Sequence, residues 1–203
     1  SKVLSVYKED EEQALKNYMS YLNQMGVTAV GDVALTGESP DDIVYPELYA
    51  KVEKEATVRV SFFPAMREAV EQNRELYKKY RSKMLQMGGV KQFYDGVTSS
   101  HTAYLKEPYP MPFFVGDVGG PLLTEEKMER LTLLANKEGW PMRIHTVGDK
   151  AIALTLQNFK KAQEETPFDV PYKFNTIEHL EVMDPKDLPL TAQNSLVVSV
   201  QPS

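Results

Sequence analysis

The chain has 203 residues, 42% of them hydrophobic and 26% charged, with a formal net charge of -6. These values describe an ordinary globular chain of one domain, with room at most for a small appendage. The acidic balance argues against a nucleic-acid surface, which needs a basic stripe. The absence of cysteine excludes disulfides and thiolate metal sites and leaves the compartment open, and no apolar run is long enough to span a membrane.

Residues 10–25 read as a helix, with Leu15, Met19 and Leu22 near helical spacing and Gly26 as its stop. Residues 27–33 read as a strand, 46–54 as a short helix and 56–63 as a second strand. Residues 66–87 read as one long charged helix ended by Gly88 and Gly89, with Met84, Leu85 and Met87 in the core rather than at a cofactor. Residues 90–94 form the next strand. The stretch 96–123 has no period and carries Pro108, Pro110, Pro112 and Pro121; connections this long are often functional. Thr124 is a candidate N-cap, with Glu125 and Glu126 suited to the positive end of a helix that runs to Lys137. Those same carboxylates would repel an anion, so residues 116–120 read as a flexible loop. Residues 142–147 form a strand, Asp149 caps a helix over 150–164, 173–178 is a strand, 185–192 a short helix and 196–200 a last strand.

The alternation of helix and strand predicts an α/β protein with a parallel sheet. Six strands suit an open sheet. They suit equally a (β/α)₈ barrel without its first and last strands, since a complete barrel needs about 250 residues. The chain has three histidines. Two of them, His145 and His179, stand at or near the C-terminal ends of strands, and so does Lys91. In a parallel barrel that end is the active-site face, and neutral imidazole is the commonest metal ligand. A metal site is one reading of the three residues. The other is a buried histidine satisfied by backbone and a lysine in an internal ion pair.

The motifs resemble amidohydrolase family 3 of the metal-dependent amidohydrolase superfamily, which includes predicted amidohydrolases and exoenzyme regulatory proteins. Gly89-Val90-Lys91-Gln92-Phe93-Tyr94-Asp95-Gly96 is similar to its Gly-Val-Lys-x-Phe-x-Asp-Gly strand. His145-Thr146-Val147-Gly148-Asp149 with Ala151, Ile177-Glu178-His179 and Ser199-Val200-Gln201-Pro202 resemble three further motifs. So do the run from Gly26 to Asp32 and the Pro108-Tyr109 pair, and all six stand in family order. The resemblance implies an incomplete (β/α)₈ TIM barrel covering about strands 2 to 7, without the family's β-sandwich. It implies a divalent metal, usually zinc, held by a carbamylated Lys91 and by His145 and His179. It implies hydrolysis of a C–N bond in a small amide-type substrate by metal-activated water.

The family's His-x-His pair of strand 1 is absent, and its general-base aspartate of strand 8 is expected beyond Ser203. The chain therefore reads as a central segment of a larger enzyme, inactive by itself and holding metal weakly or not at all, with Lys91 unmodified and balanced by a carboxylate such as Asp95. The alternative is a non-catalytic binding or regulatory barrel. Bare strand edges would favour a homo-oligomer. His101 is either a substrate contact over the metal mouth or a solvated loop residue. Asp95 either supports a ligand or substrate or pairs with loop backbone. Arg143 shares parity with His145 and is either an inward charge in need of a partner or a surface arginine, and Asp32 caps a turn.

Overall fold

A computed structural model describes residues 11–33 and 45–201. In chain order its elements are α1 (Glu11–Gln24), β1 (Ala29–Val33), α2 (Pro46–Val52), β2 (Arg59–Phe63), α3 (Glu71–Lys79), β3 (Leu85–Met87) and β4 (Val90–Phe93). There follow α4 (Glu125–Lys137), β5 (Met142–Thr146), α5 (Asp149–Glu165), β6 (Thr176–His179), α6 (Leu188–Gln193) and β7 (Val197–Ser199). Every strand pairing within the sheets is parallel, in the orders β1-β2-β3 and β4-β5-β6-β7. A bridge joins the two sheets. Lys91 donates its N–H to the Pro64 carbonyl and accepts at its own carbonyl from Met66 N–H.

β3 and β4 are successive halves of one strand path. The lower half pairs with β2 and the upper half with β5, and Gly88-Gly89 makes the step between them. Gly89 has φ +155°, and a Cβ there would stand 2.1 Å from the Pro141 carbonyl oxygen, which accepts Val90 N–H. Only glycine lets the backbones approach that closely.

The expected helix over 66–87 is thus corrected to a short α3 and a strand. The helix stops at Tyr80, whose extended φ and ψ cannot continue it. Ser82 Oγ then accepts from both Met84 N–H and Leu85 N–H, a local bond that competes with helix and turns the chain into β3. Leu85 and Met87 are core residues as expected.

Strand alternation sorts the residues. Val60, Phe62, Leu85, Val90, Met142, Ile144 and Ile177 point to the helix side and are buried. There they meet Met128 and Leu131 of α4, Ile152, Leu156 and Phe159 of α5, and Trp140. Each buried side chain of this size stabilises the fold by about 1.5–3 kcal/mol. The opposite register positions, Lys91, Phe93, Arg143, His145, Thr176, Glu178 and Ser199, share the other face.

Candidate metal centre

His145 and His179 meet at the ends of β5 and β6, with ring centroids 4.3 Å apart at 64°. Alternation alone would put His179 on the helix side, because it pairs in register with Thr146. His179 has φ +79° and Leu180 φ +54°, and this left-handed pair re-aims the ring towards His145. Such backbone strain in residues other than glycine is stored where the surroundings require it.

Each imidazole is tied by one nitrogen. His145 Nε2 lies 3.0 Å from the Gly96 carbonyl oxygen, so Nε2 carries the proton and Nδ1 keeps a lone pair. His179 Nδ1 lies 2.7 Å from Gln201 Oε1. The Gln201 amide nitrogen donates to the carbonyl and hydroxyl oxygens of Ser199, which makes Oε1 the acceptor and His179 Nδ1 the donor. Nε2 of His179 then keeps the lone pair. A fixed tautomer with one free nitrogen is what a metal-binding histidine needs. Burial pushes His145 down to about 4, and the charges of His179 and Lys91 add to it against the Gly96 bond. The ring is therefore neutral at physiological pH.

Lys91 is 3% exposed, with Nζ 4.6 Å from the Phe93 ring centroid. Burial pushes its amine down to about 8; Glu178 opposes the shift and Arg143 adds to it. A minor neutral fraction is then present at neutral pH and grows as the pH rises. Glu178 is the carboxylate that acts on Lys91, and it also accepts from Arg143 Nε at 2.5 Å. Burial alone would raise the Glu178 carboxyl. The bonds from Arg143 and Ser199 and the charges of Arg143 and Lys91 outweigh it and hold the carboxyl below the usual range. Arg143 packs over the Phe63 ring at 4.9 Å, so its inward reading is the one the structure realises.

The other candidates are held elsewhere. Asp95 is fully buried, and its oxygens accept from the backbone N–H groups of Tyr104, Val147 and Gly148 at 2.8–3.0 Å. It ties the long loop to the end of β5, which is its loop-backbone reading; it is not the partner of Lys91. His101 is stacked between Tyr109 and Phe113, at 4.1 and 3.9 Å, and its Nδ1 lies 2.7 Å from Asp117 Oδ2. It pins the loop to itself and is not a solvated side chain. Asp117 also takes the N–H groups of Phe113 and Gly119, which orders the stretch read as flexible. Asp149 does not cap α5: its side chain accepts from Lys106 N–H, and the Tyr104 carbonyl takes Lys150 N–H and Ala151 N–H. Asp32 accepts from the Tyr49 hydroxyl at 2.6 Å. Thr124 does cap α4, through Lys127 N–H.

Glu178 and Gln201 stand within the motifs, but reading the motifs assigned neither of them a role at the site. The signal for Glu178 was parity, since it lies on the face of Arg143 and His145. Gln201 stands in the last motif, but its bond to His179 depends on the left-handed turn, which spacing does not show. Pro202, the last residue of that motif, and the following Ser203 lie outside the described residues.

The chain is 29% identical to the Protein LONG AFTER FAR-RED 3 of Arabidopsis thaliana, over 98% of this chain and 35% of that one. It is 24% identical to the Exoenzymes regulatory protein AepA of Pectobacterium carotovorum subsp. carotovorum, over 88% and 37%. It is 26% identical to the Putative amidohydrolase YtcJ of Bacillus subtilis (strain 168), over 66% and 24%. The chain thus spans about a third or less of the length of these relatives. Crystal structures of uncharacterized metal-dependent hydrolases from Pyrococcus horikoshii and Pyrococcus furiosus share its fold, with TM-scores of 0.73 and 0.74 at 23% identity. They cover 96% of this chain, which covers 37% and 38% of theirs. The family model for amidohydrolases matches residues 2–203, and with the strand order and paired histidines already described, the chain belongs to the amidohydrolase family.

Proposed function

We propose that this chain carries part of the metal centre of a hydrolase that cleaves an amide-type C–N bond in a small molecule. In this reading its sheet is about strands 2 to 7 of a (β/α)₈ barrel. The observation that carries the proposal is the pair His145 and His179, each with one nitrogen tied to a carbonyl oxygen and the other nitrogen bearing a lone pair.

Two imidazoles, each tied by one ring nitrogen, fit zinc through the other. Lys91 fits as a neutral amine or, after adding CO₂, as a carbamate. Among the described residues no third imidazole or carboxylate joins the histidines, so these donors form a partial set. A divalent ion, when bound, supplies Lewis-acid chemistry, polarising a carbonyl and lowering the pKa of water. The residues of this chain orient and tune that site. Gly96 and Gln201 hold the two rings, burial keeps His145 unprotonated, and Arg143 keeps the charge of Glu178 paired beneath them. No described carboxylate stands ready to accept a proton at the paired rings, so the chain by itself is a scaffold without turnover.

A full-length protein containing this segment is expected to purify with zinc and to hydrolyse a member of an N-acyl and formamide substrate panel. His145→Asn and His179→Asn each lose metal and activity together. Retention of stoichiometric zinc by the double variant would show that the ion is held elsewhere. The name of the Pectobacterium relative supports a second reading, a regulatory barrel. That reading expects metal or ligand binding with no turnover across the panel.

A further inference from the structure

On the helix side of the sheet, a cavity of about 370 Å³ lies between α4 and α5. Glu125, Glu126 and Glu129 line it from α4, and Asn158 and Lys161 from α5, with Tyr94 from the end of the β4 path. Tyr94 is fully buried and Asn158 is 7% exposed. The Tyr94 hydroxyl and Asn158 Nδ2 have no hydrogen-bond partner. A buried polar atom left unpaired is costly, so two lining one cavity call for an occupant.

Charge defines what that occupant is. Glu129 is neutralised by Lys161 at 2.5 Å. Glu125 is met by the Tyr104 hydroxyl and by Lys150. Glu126 makes no ion pair among the described residues; its own backbone N–H, the Thr124 hydroxyl and the charge of Arg130 hold it ionised, which leaves it the carboxylate at the cavity without a cation in contact. Burial raises the Tyr94 phenol, and the charges of Glu125 and Glu126 add to the shift, which places the hydroxyl in this negative field. The three carboxylates do not converge on one point, as a bare metal ion would require, and the space is far larger than an ion. Asn158 Nδ2 can only donate, and the Tyr94 hydroxyl can donate, so both suit an acceptor oxygen.

We propose that this cavity binds a small organic cation, a primary ammonium that carries a carbonyl or hydroxyl oxygen a few atoms away. The ammonium sits at Glu126, and the oxygen accepts from Asn158 and Tyr94. The site rests on different residues from the metal centre and stands or falls separately from it.

The test titrates the full chain with γ-aminobutyramide, following the Asn158 side-chain amide by NMR. Butyramide, which lacks the ammonium, and butylamine, which lacks the acceptor, are the controls. Saturable shifts at Asn158 are expected, with each control and each of Glu126→Gln and Tyr94→Phe about tenfold weaker, the loss of one hydrogen bond to or near a charge. Without ligand, Tyr94→Phe should leave the melting temperature unchanged or raised, because the hydroxyl it removes has no partner. Absence of a saturable shift, as when water alone fills the cavity, overturns the proposal. So does equal binding of butyramide, or undiminished binding by both variants.

Discussion

Beneath the two histidines, Arg143 and Glu178 form a pair in which neither charge is dispensable. Glu178 is 9% exposed at its side chain and Arg143 25%. Glu178→Gln removes the countercharge of Arg143 and one of the charges that favour the ammonium of Lys91. Breaking a buried pair costs about 3–5 kcal/mol, and the partial exposure of Arg143 brings the expected loss to about 2–3 kcal/mol. Urea unfolding of the metal-free protein checks this. A loss under about 0.5 kcal/mol would show that Arg143 finds water or another acceptor. Replacing Arg143 and Glu178 together by Met and Leu should cost less than Glu178→Gln alone, because no buried charge is then stranded. Asp95 behaves differently. Its three backbone bonds hold loop to strand, so Asp95→Asn, which keeps the size and removes acceptor capacity, should loosen residues 96–105. Faster hydrogen exchange at the Tyr104, Val147 and Gly148 amides is the expected sign. The motifs made Lys91, His145 and His179 legible because the histidines stand at the ends of β-rich runs and Lys91 is the lone lysine within another. They left Asp95 undecided, because an aspartate at a strand end serves a ligand or a loop with the same spacing.

The step at Gly88-Gly89 decides how the elements join. It lets one strand path pair with β2 below and β5 above, and so carries the sheet past the point where a regular strand would continue. Gly89→Ala forces a Cβ against the Pro141 carbonyl at 2.1 Å, a backbone atom that cannot swing aside. The expected cost exceeds about 3 kcal/mol. Gly26→Ala is the control, with φ +77° and nothing within 4 Å, and should cost about 1 kcal/mol. Equal losses at the two sites would mean that backbone conformation, and not the close approach, is what Gly89 provides. The same step explains why residues 66–87 read as one helix. Their charged residues and terminal glycine pair satisfy the helix rules, while the strand that replaces the last turn is three residues long and fixed by Ser82 and by neighbours distant in sequence. The longer strands and α4 and α5 were legible because their periods repeat several times. Loop 96–123 was legible only as a loop, since the stacking of His101 between Tyr109 and Phe113 leaves no periodic trace.

At the scale of the whole molecule, β1 and β7 are the edges of the described sheet, and Val197 and Val200 at the β7 edge are 46% and 56% exposed. Among the described residues no strand lies beyond β1 or β7. Two imidazoles from one ladder hold zinc, but three or four donors are the norm for a retained ion, and a catalytic site also needs a group to take a proton. Lys91 supplies a further donor only when it is neutral or carbamylated, and its amine near 8 leaves most of it charged at pH 7. An ammonium beside the histidines repels a cation, while water at the half-buried rings weakens each remaining electrostatic contact. The 203-residue chain, titrated with zinc at pH 7 in bicarbonate, is therefore expected to bind weakly and substoichiometrically, to show no mass increase at Lys91 and to hydrolyse no substrate. Raising the pH from 7 towards 9 deprotonates Lys91 and should strengthen zinc binding, and Lys91→Met should abolish that gain. A full-length member of the family, assayed beside it, should hold zinc through dialysis. If the short chain matches it in metal content and turnover, the donors that matter lie within these residues and Lys91, His145 and His179 are not the whole set.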